Sequence, residues 1–158
     1  MMGHNPDVSR DGATRHRDRA DGSQPGPGPD SVTVDLQATA TAPRAARRAL
    51  RQLDLPARVA EDGKLLVSEL VTNSVRHAGL GPEDRIRLTA VWSNERLKVH
   101  VHSGRGSMPP PRVARRIRPP PEAESGWGLY LVERLASRWG TDPDGSWFEL
   151  HHDQSGLG

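Results

Sequence analysis

The sequence predicts an α+β protein: a two-layer α/β sandwich, one mixed sheet covered by helices on one face. Three observations carry this expectation. Four short segments, 31–37, 86–90, 97–101 and 146–151, alternate apolar and polar residues with the period of a half-buried strand. Three others, 44–53, 59–79 and 129–136, repeat apolar residues at helical spacing. Their order is strand, helix, helix, strand, strand, helix, strand. Each element then has one apolar face to bury, and stacking the helices on the sheet buries them all.

Residues 1–30 mix Arg and Asp with Gly and Pro and end in Gln24-Pro25-Gly26-Pro27-Gly28-Pro29-Asp30. Apart from Met1 and Met2, only Val8 is a large aliphatic, so a disordered arm is expected. Val32, Val34 and Leu36 mark the first strand. Pro43 suits a first helical turn, and Ala46, Ala49, Leu50 and Leu53 form the apolar stripe of that helix. Pro56 breaks it. The central helix follows, tolerates Gly63 and stops at Gly79, a residue suited to a helix C-terminal cap. Ile86, Leu88 and Ala90 alternate in the next strand, and Leu97, Val99 and Val101 in its partner, with Ser93-Asn94-Glu95 as the hairpin connection. Residues 103–125 read as a long loop. It holds two triple prolines, 109–111 and 119–121, with Arg112, Arg115, Arg116 and Arg118 between them. Gly126-Trp127-Gly128 opens the third helix, whose apolar residues are Leu129, Val132, Leu135 and Ala136. In the last strand Phe148 and Leu150 are expected to face the core, rather than Trp147 and Glu149.

A chain of 158 residues fits one domain, expected over 31–152 with a short tail, 153–158. The formal charge is only +2, with 20 Arg against 2 Lys, too little to indicate nucleic-acid binding. There is no cysteine, hence no disulfide and no thiolate chemistry. No apolar run reaches membrane-spanning length and the N-terminus is polar, so the expectation is a soluble, cytoplasmic protein without membrane contact.

Within the central helix Glu69, Asn73 and His77 stand at i, i+4 and i+8, on one face. An acid, an amide and an imidazole along one stripe of an otherwise apolar helix face either solvent or a site. An Asn can offer an oxygen to Mg²⁺, which prefers hard oxygen ligands. A Glu one turn earlier can take a proton from an attacking hydroxyl. Glycines at the start of a helix let backbone N–H groups approach an anion. A Gly-x-Gly alone is weak, because tight helix packing explains it as often. His151, His152 and Asp153 do not make a metal site, since adjacent strand side chains point to opposite faces.

Together, Ser68-Glu69-Leu70-Val71-Thr72-Asn73-Ser74-Val75-Arg76-His77-Ala78, the Val99-His100-Val101-His102-Ser103-Gly104 strand end and Gly126-Trp127-Gly128-Leu129-Tyr130-Leu131-Val132 resemble the Bergerat-fold (histidine-kinase-like) ATPases. The closer resemblance is to the small bacterial anti-sigma-factor serine kinases and their regulatory relatives. It spans about 31–151. It implies a sandwich of Bergerat type with ATP held between the helix layer and a lid formed by 104–125. By the same resemblance Glu69 is the general base and Asn73 the Mg²⁺ ligand. The ATP-contacting set is Asn73, His77, Ser103, Gly104, Gly126, Trp127, Gly128 and Leu129, with Gly126 and Gly128 cradling the phosphates. For His77 a backbone contact near the helix end competes with a ligand contact, and for Trp127 and Trp139 packing is the plain alternative.

Two departures stand against the family pattern. The family carries an aspartate at the end of the third strand, on the adenine amino group. Strand phase places Ser103 there, whereas matching the family's glycines to Gly104 and Gly106 places His102 there; strand phase is the stricter guide. Neither is a carboxylate. Before the last strand, where relatives often have Lys-Thr near the phosphates, stands Asp144-Gly145. Two functions follow as expectations. One is a serine/threonine kinase that binds ATP and Mg²⁺, phosphorylates an antagonist protein and controls transcription through a sigma factor, with a homodimer common among such relatives. The other is a degenerate protein-binding module with weak or no nucleotide binding.

Overall fold

The computed structural model of the chain describes residues 30–103, 121–122 and 127–153. Its elements are β1 (Ser31–Gln37), α1 (Ala42–Leu50), α2 (Ala57–His77), β2 (Arg85–Ser93), β3 (Arg96–His102), α3 (Trp127–Leu135), β4 (Arg138–Asp142) and β5 (Gly145–His151). The five strands form one sheet in the order β1-β2-β3-β5-β4. The expected sandwich is the one formed, with two corrections to its sheet.

The sheet is antiparallel at every pairing, not mixed. Two successive helices, α1 and α2, bring the chain back so that β2 runs against β1. The passage through α3 does set β4 in the direction of β3, but β5 lies between them and pairs with both. The two strands of like direction never become neighbours.

The second correction is β4 itself. Arg138-Trp139-Gly140-Thr141-Asp142 shows no clean alternation, because it is a short edge strand with charged ends. A two-residue turn, Pro143-Asp144, joins it to β5. Asp142 Oδ1 stabilises that turn by accepting the backbone N–H groups of Asp144 and Gly145, each at 2.9 Å.

The core lies between the sheet and the helices. Leu36, Ile86, Leu88, Leu97, Val99, Val101, Phe148 and Leu150 supply the sheet side. Ala46, Ala49 and Leu50 of α1, Leu66, Val67, Leu70 and Val71 of α2 and Val132 of α3 supply the other. Phe148 and Leu150 therefore face the core as the alternation predicts. α1 ends at Leu50, earlier than the stripe predicts. The N–H groups of Gln52 and Leu53 bond to the carbonyls of Ala49 and Leu50, a tighter turn that still leaves Leu53 buried. Gly63 sits in mid-helix where a Cβ would come within 3.0 Å of Leu97 Cδ2, so a larger residue would require the buried Leu97 side chain to shift. Gly79 follows the helix with φ of 64°, the left-handed cap conformation. Asn94 and Glu95 have φ of 50° and 57°, as a two-residue type I′ hairpin requires.

The helices cover one face of the sheet. Strand positions of opposite phase, among them Asp35, Arg87, Lys98, His100, His102, Asp142, Trp147 and Glu149, point to the other. Glu149 is buried there, its side chain only 5% exposed, with Arg96, Lys98 and His151 each 3.9 Å away. No described helix is long and apolar enough to cross a membrane.

Candidate functional site

α2 buries Leu66, Val67, Leu70, Val71 and Ser74 against the sheet, which leaves its polar stripe at the border of the core. Along that stripe Glu69 and Asn73 are half-buried, while His77, in the last turn, is exposed. Ser74 satisfies its hydroxyl within the helix by donating to the Leu70 carbonyl at 3.0 Å. Burial pushes the Glu69 carboxyl above the usual carboxylate range, and the Arg76 guanidinium partly offsets this. Arg76 was not among the expected site residues. Its position two turns beyond Glu69 on the same helix is the signal that would have found it.

The first turn of α3 lies against this acid. A Cβ added to Gly128 would overlap Glu69 Oε2. The structure thus brings together two pieces far apart in sequence, and gives the second glycine of Gly-x-Gly a steric reason. Trp127 and Leu129, on either side, are half-buried, and the Trp127 ring meets that of Tyr130 edge-to-face at 5.8 Å. Trp139, expected to pack, lies partly buried against the core and donates its indole N–H to Glu133 Oε2 at 2.6 Å. Gly104, Gly126 and the lid positions 104–120 and 123–126 lie outside the described residues.

At the end of β3, Ser103 continues the phase of Val99 and Val101 and is 5% exposed. Its N–H donates to the Asp144 carbonyl at 3.0 Å. His102 has the opposite phase and its ring contacts that of His100 on the outer face. Of the two residues competing for the place of the family's aspartate, Ser103 is the one on the helix-facing side.

A further residue there went unnoticed in the sequence. Ser146 is paired with Val101 across β3 and β5 and shares the phase of Phe148 and Leu150. Its Oγ is buried with no hydrogen-bond partner among the described residues. The phase of the last strand is the signal that would have found it. Asp144-Gly145 also becomes intelligible. Asp144 is an exposed turn residue. A Cβ on Gly145 would overlap the Val101 carbonyl oxygen, so the glycine lets β5 close on β3.

An antiparallel sheet under three helices, with an acid and an amide on the central helix and a glycine turn against the acid, defines a domain of the Bergerat ATPase class. Residues 32–150 match the family model of the histidine kinase-like ATPase domain, and the chain belongs to that family. Among solved structures, the RsbU and RsbW domains of Rv1364c from Mycobacterium tuberculosis have a similar fold, with a TM-score of 0.52 and 22% identity. The match covers 77% of this chain and 32% of that one, so this chain spans about a third of that protein. At that identity the likeness speaks for the fold alone. No curated protein matched the sequence.

Proposed function

We propose that this chain is an ATP-binding regulator of the anti-sigma-factor serine kinase type, which phosphorylates an antagonist protein and so controls a sigma factor in the cytoplasm. The observation that carries the proposal is the seating of Gly128 on the Glu69 carboxylate, one helical turn from Asn73. The residues present fit a nucleotide in two respects. Gly128 lets the first turn of α3 close on the Glu69 carboxylate, where a Cβ would overlap Oε2, and Ser146 Oγ is a buried hydroxyl without a partner among the described residues, on the side of the sheet where Ser103 is buried. Ser103 and Ser146 would take the adenine end. Asn73, Gly128 and the helix start at Trp127, with Gly104 and Gly126 by family resemblance, would take the phosphate end.

Asn73 would hold Mg²⁺, whose chemistry is to neutralise charge on the phosphates. Glu69 would accept the proton of the antagonist's serine hydroxyl. A carboxyl whose pKa is raised by burial is a better base at neutral pH than an ordinary one. His77 would contribute from the helix end, where it is exposed. The domain would comprise 31–152, and a second copy of the chain is a candidate partner beside the sigma factor and antagonist.

The second reading, a protein-binding module with weak nucleotide affinity, draws on the hydroxyl of Ser103 where the family has a carboxylate. A hydrogen bond to a charged group contributes about 1.5–3 kcal/mol and a neutral one about 0.5–1.5. Ser103→Asp is therefore expected to tighten ATP about tenfold in a titration, whereas His102→Asp, on the opposite face, leaves the affinity unchanged. If only His102→Asp tightens binding, the adenine position is misassigned. Asn73→Ala is expected to abolish the dependence of ATP affinity on Mg²⁺. An unchanged Mg²⁺ dependence removes Asn73 from the metal.

A further inference from the structure

At the end of β3 the helix-facing side of the sheet carries hydroxyls. Ser103 and Ser146 have the same phase, and because Ser146 pairs with Val101 the two serines are diagonal neighbours across β3 and β5. Thr141, paired with Ser146 from β4, continues the row. Both serines are buried. A third buried serine, Ser74, commits its hydrogen to the Leu70 carbonyl, whereas Ser146 Oγ has no partner among the described residues. The carboxylates around this end of the sheet are engaged elsewhere. On the outer face Asp142 Oδ2 lies 2.7 Å from His100 Nε2, while Oδ1 holds the β4–β5 turn. Asp35, also on the outer face, meets Arg87 through both oxygens at 2.8 and 3.1 Å. Asp84 Oδ2 accepts the Gly81 N–H at 2.8 Å, and Asp144 is exposed in its turn.

We propose, resting on the nucleotide reading above, that this base end takes 6-oxopurine nucleotides, the inosine and guanosine triphosphates, as well as ATP. An ionised carboxylate is an acceptor only. It matches the amino group at position 6 of adenine and repels the oxygen at position 6 of hypoxanthine or guanine. A hydroxyl has one donor and two lone pairs, and its hydrogen rotates to suit the partner. Serine and threonine therefore bond either kind of purine edge. The neighbouring ring position reverses in the same sense, since N1 accepts in adenine and carries a hydrogen in a 6-oxopurine. Two adjacent hydroxyls can reverse together, and a carboxylate cannot. Strong rejection of an analogue requires that it leave a buried polar group unpaired. Neither base leaves a rotating hydroxyl unpaired, so Ser103 in place of a carboxylate removes the ground for choosing adenine.

Calorimetric titration of the full chain with ATP and with inosine triphosphate, each with Mg²⁺, tests this. Inosine triphosphate isolates position 6 from the additional amino group of guanine. The two Kd values are expected within about tenfold of each other, because each base makes neutral hydrogen bonds. ATP binding with inosine triphosphate more than about tenfold weaker overturns the proposal and leaves the ATP-binding reading in place. Binding of neither overturns both. Ser103→Asp should raise the ratio of the inosine triphosphate Kd to the ATP Kd about 100-fold, roughly tenfold from each nucleotide. A ratio unmoved by that change, as for binding through the triphosphate alone, overturns the proposal. Ser103→Ala puts no charge in the core and should weaken both nucleotides about fivefold. Unchanged affinity for both in that variant also overturns it.

Discussion

Glu69→Gln is expected to slow phosphate transfer to the antagonist's serine by about 10²–10⁴-fold, the usual contribution of a positioned general base. ATP affinity should be unchanged, because the amide keeps the shape against Gly128 and removes only the capacity to take a proton. The same variant carries a stability signature. The folded-state pKa of Glu69 is raised by burial, so the folded protein holds a proton there that the unfolded chain has already released. The stability tied to that proton is fully present below the unfolded value, near 4.5, and is lost as the pH rises through the folded value. The amide never ionises. Glu69→Gln should thus melt higher than the parent protein above this window and level with it below. Thermal melts at acid and neutral pH check the sign, and a transfer assay checks the role. A variant that still transfers phosphate at the parent rate removes Glu69 from the reaction.

The second large effect concerns the two glycines that make close contacts. Gly145→Ala places a methyl group on backbone: the Val101 carbonyl oxygen, with Val101 C and His102 Cα at 2.9 and 3.0 Å. Paired to β3 on one side and β4 on the other, the β5 backbone there cannot rotate away as a side chain does. A loss of about 3 kcal/mol is expected, a fall in melting temperature on the order of 6–12 °C for a domain of this size. Gly128→Ala meets mainly the end of a flexible side chain, Glu69 Oε2, which can rotate away. Its cost to folding should be smaller, while displacement of the carboxylate should lower the transfer rate. Urea unfolding of the two variants separates them. If Gly145→Ala unfolds at the parent concentration, the closeness of β5 to β3 at that point is wrong.

The alternation of Val32 with Leu36, Ile86 with Leu88 and Val99 with Val101, and the helical spacing of the central segment, made the sandwich legible, because strand and helix periods are local properties. What was not legible depends on which strands become neighbours. β4 hid behind its irregular composition. The antiparallel sheet required knowing that β5 inserts between β3 and β4. The candidate site divides in the same way. Glu69 and Asn73 announce themselves by their spacing on one helix. Ser146 follows the core-facing phase of Phe148 and Leu150, but only its pairing with Val101 sets its hydroxyl near the end of β3. Asp144-Gly145 read as a lost cation, whereas register shows a turn whose glycine admits the Val101 carbonyl. The His100–Asp142 contact crosses β5 and no spacing along the chain encodes it.

On the proposed reading, the polar stripe of α2 and the glycine turn of α3 form a working nucleotide site despite the missing carboxylate at Ser103. Calorimetric titration of the full chain with ATP in the presence of Mg²⁺ tests it most directly. Saturable binding, accompanied by a rise in melting temperature, is the predicted result. The absence of both heat and thermal stabilisation at millimolar nucleotide would contradict it and leave the protein-binding module as the reading.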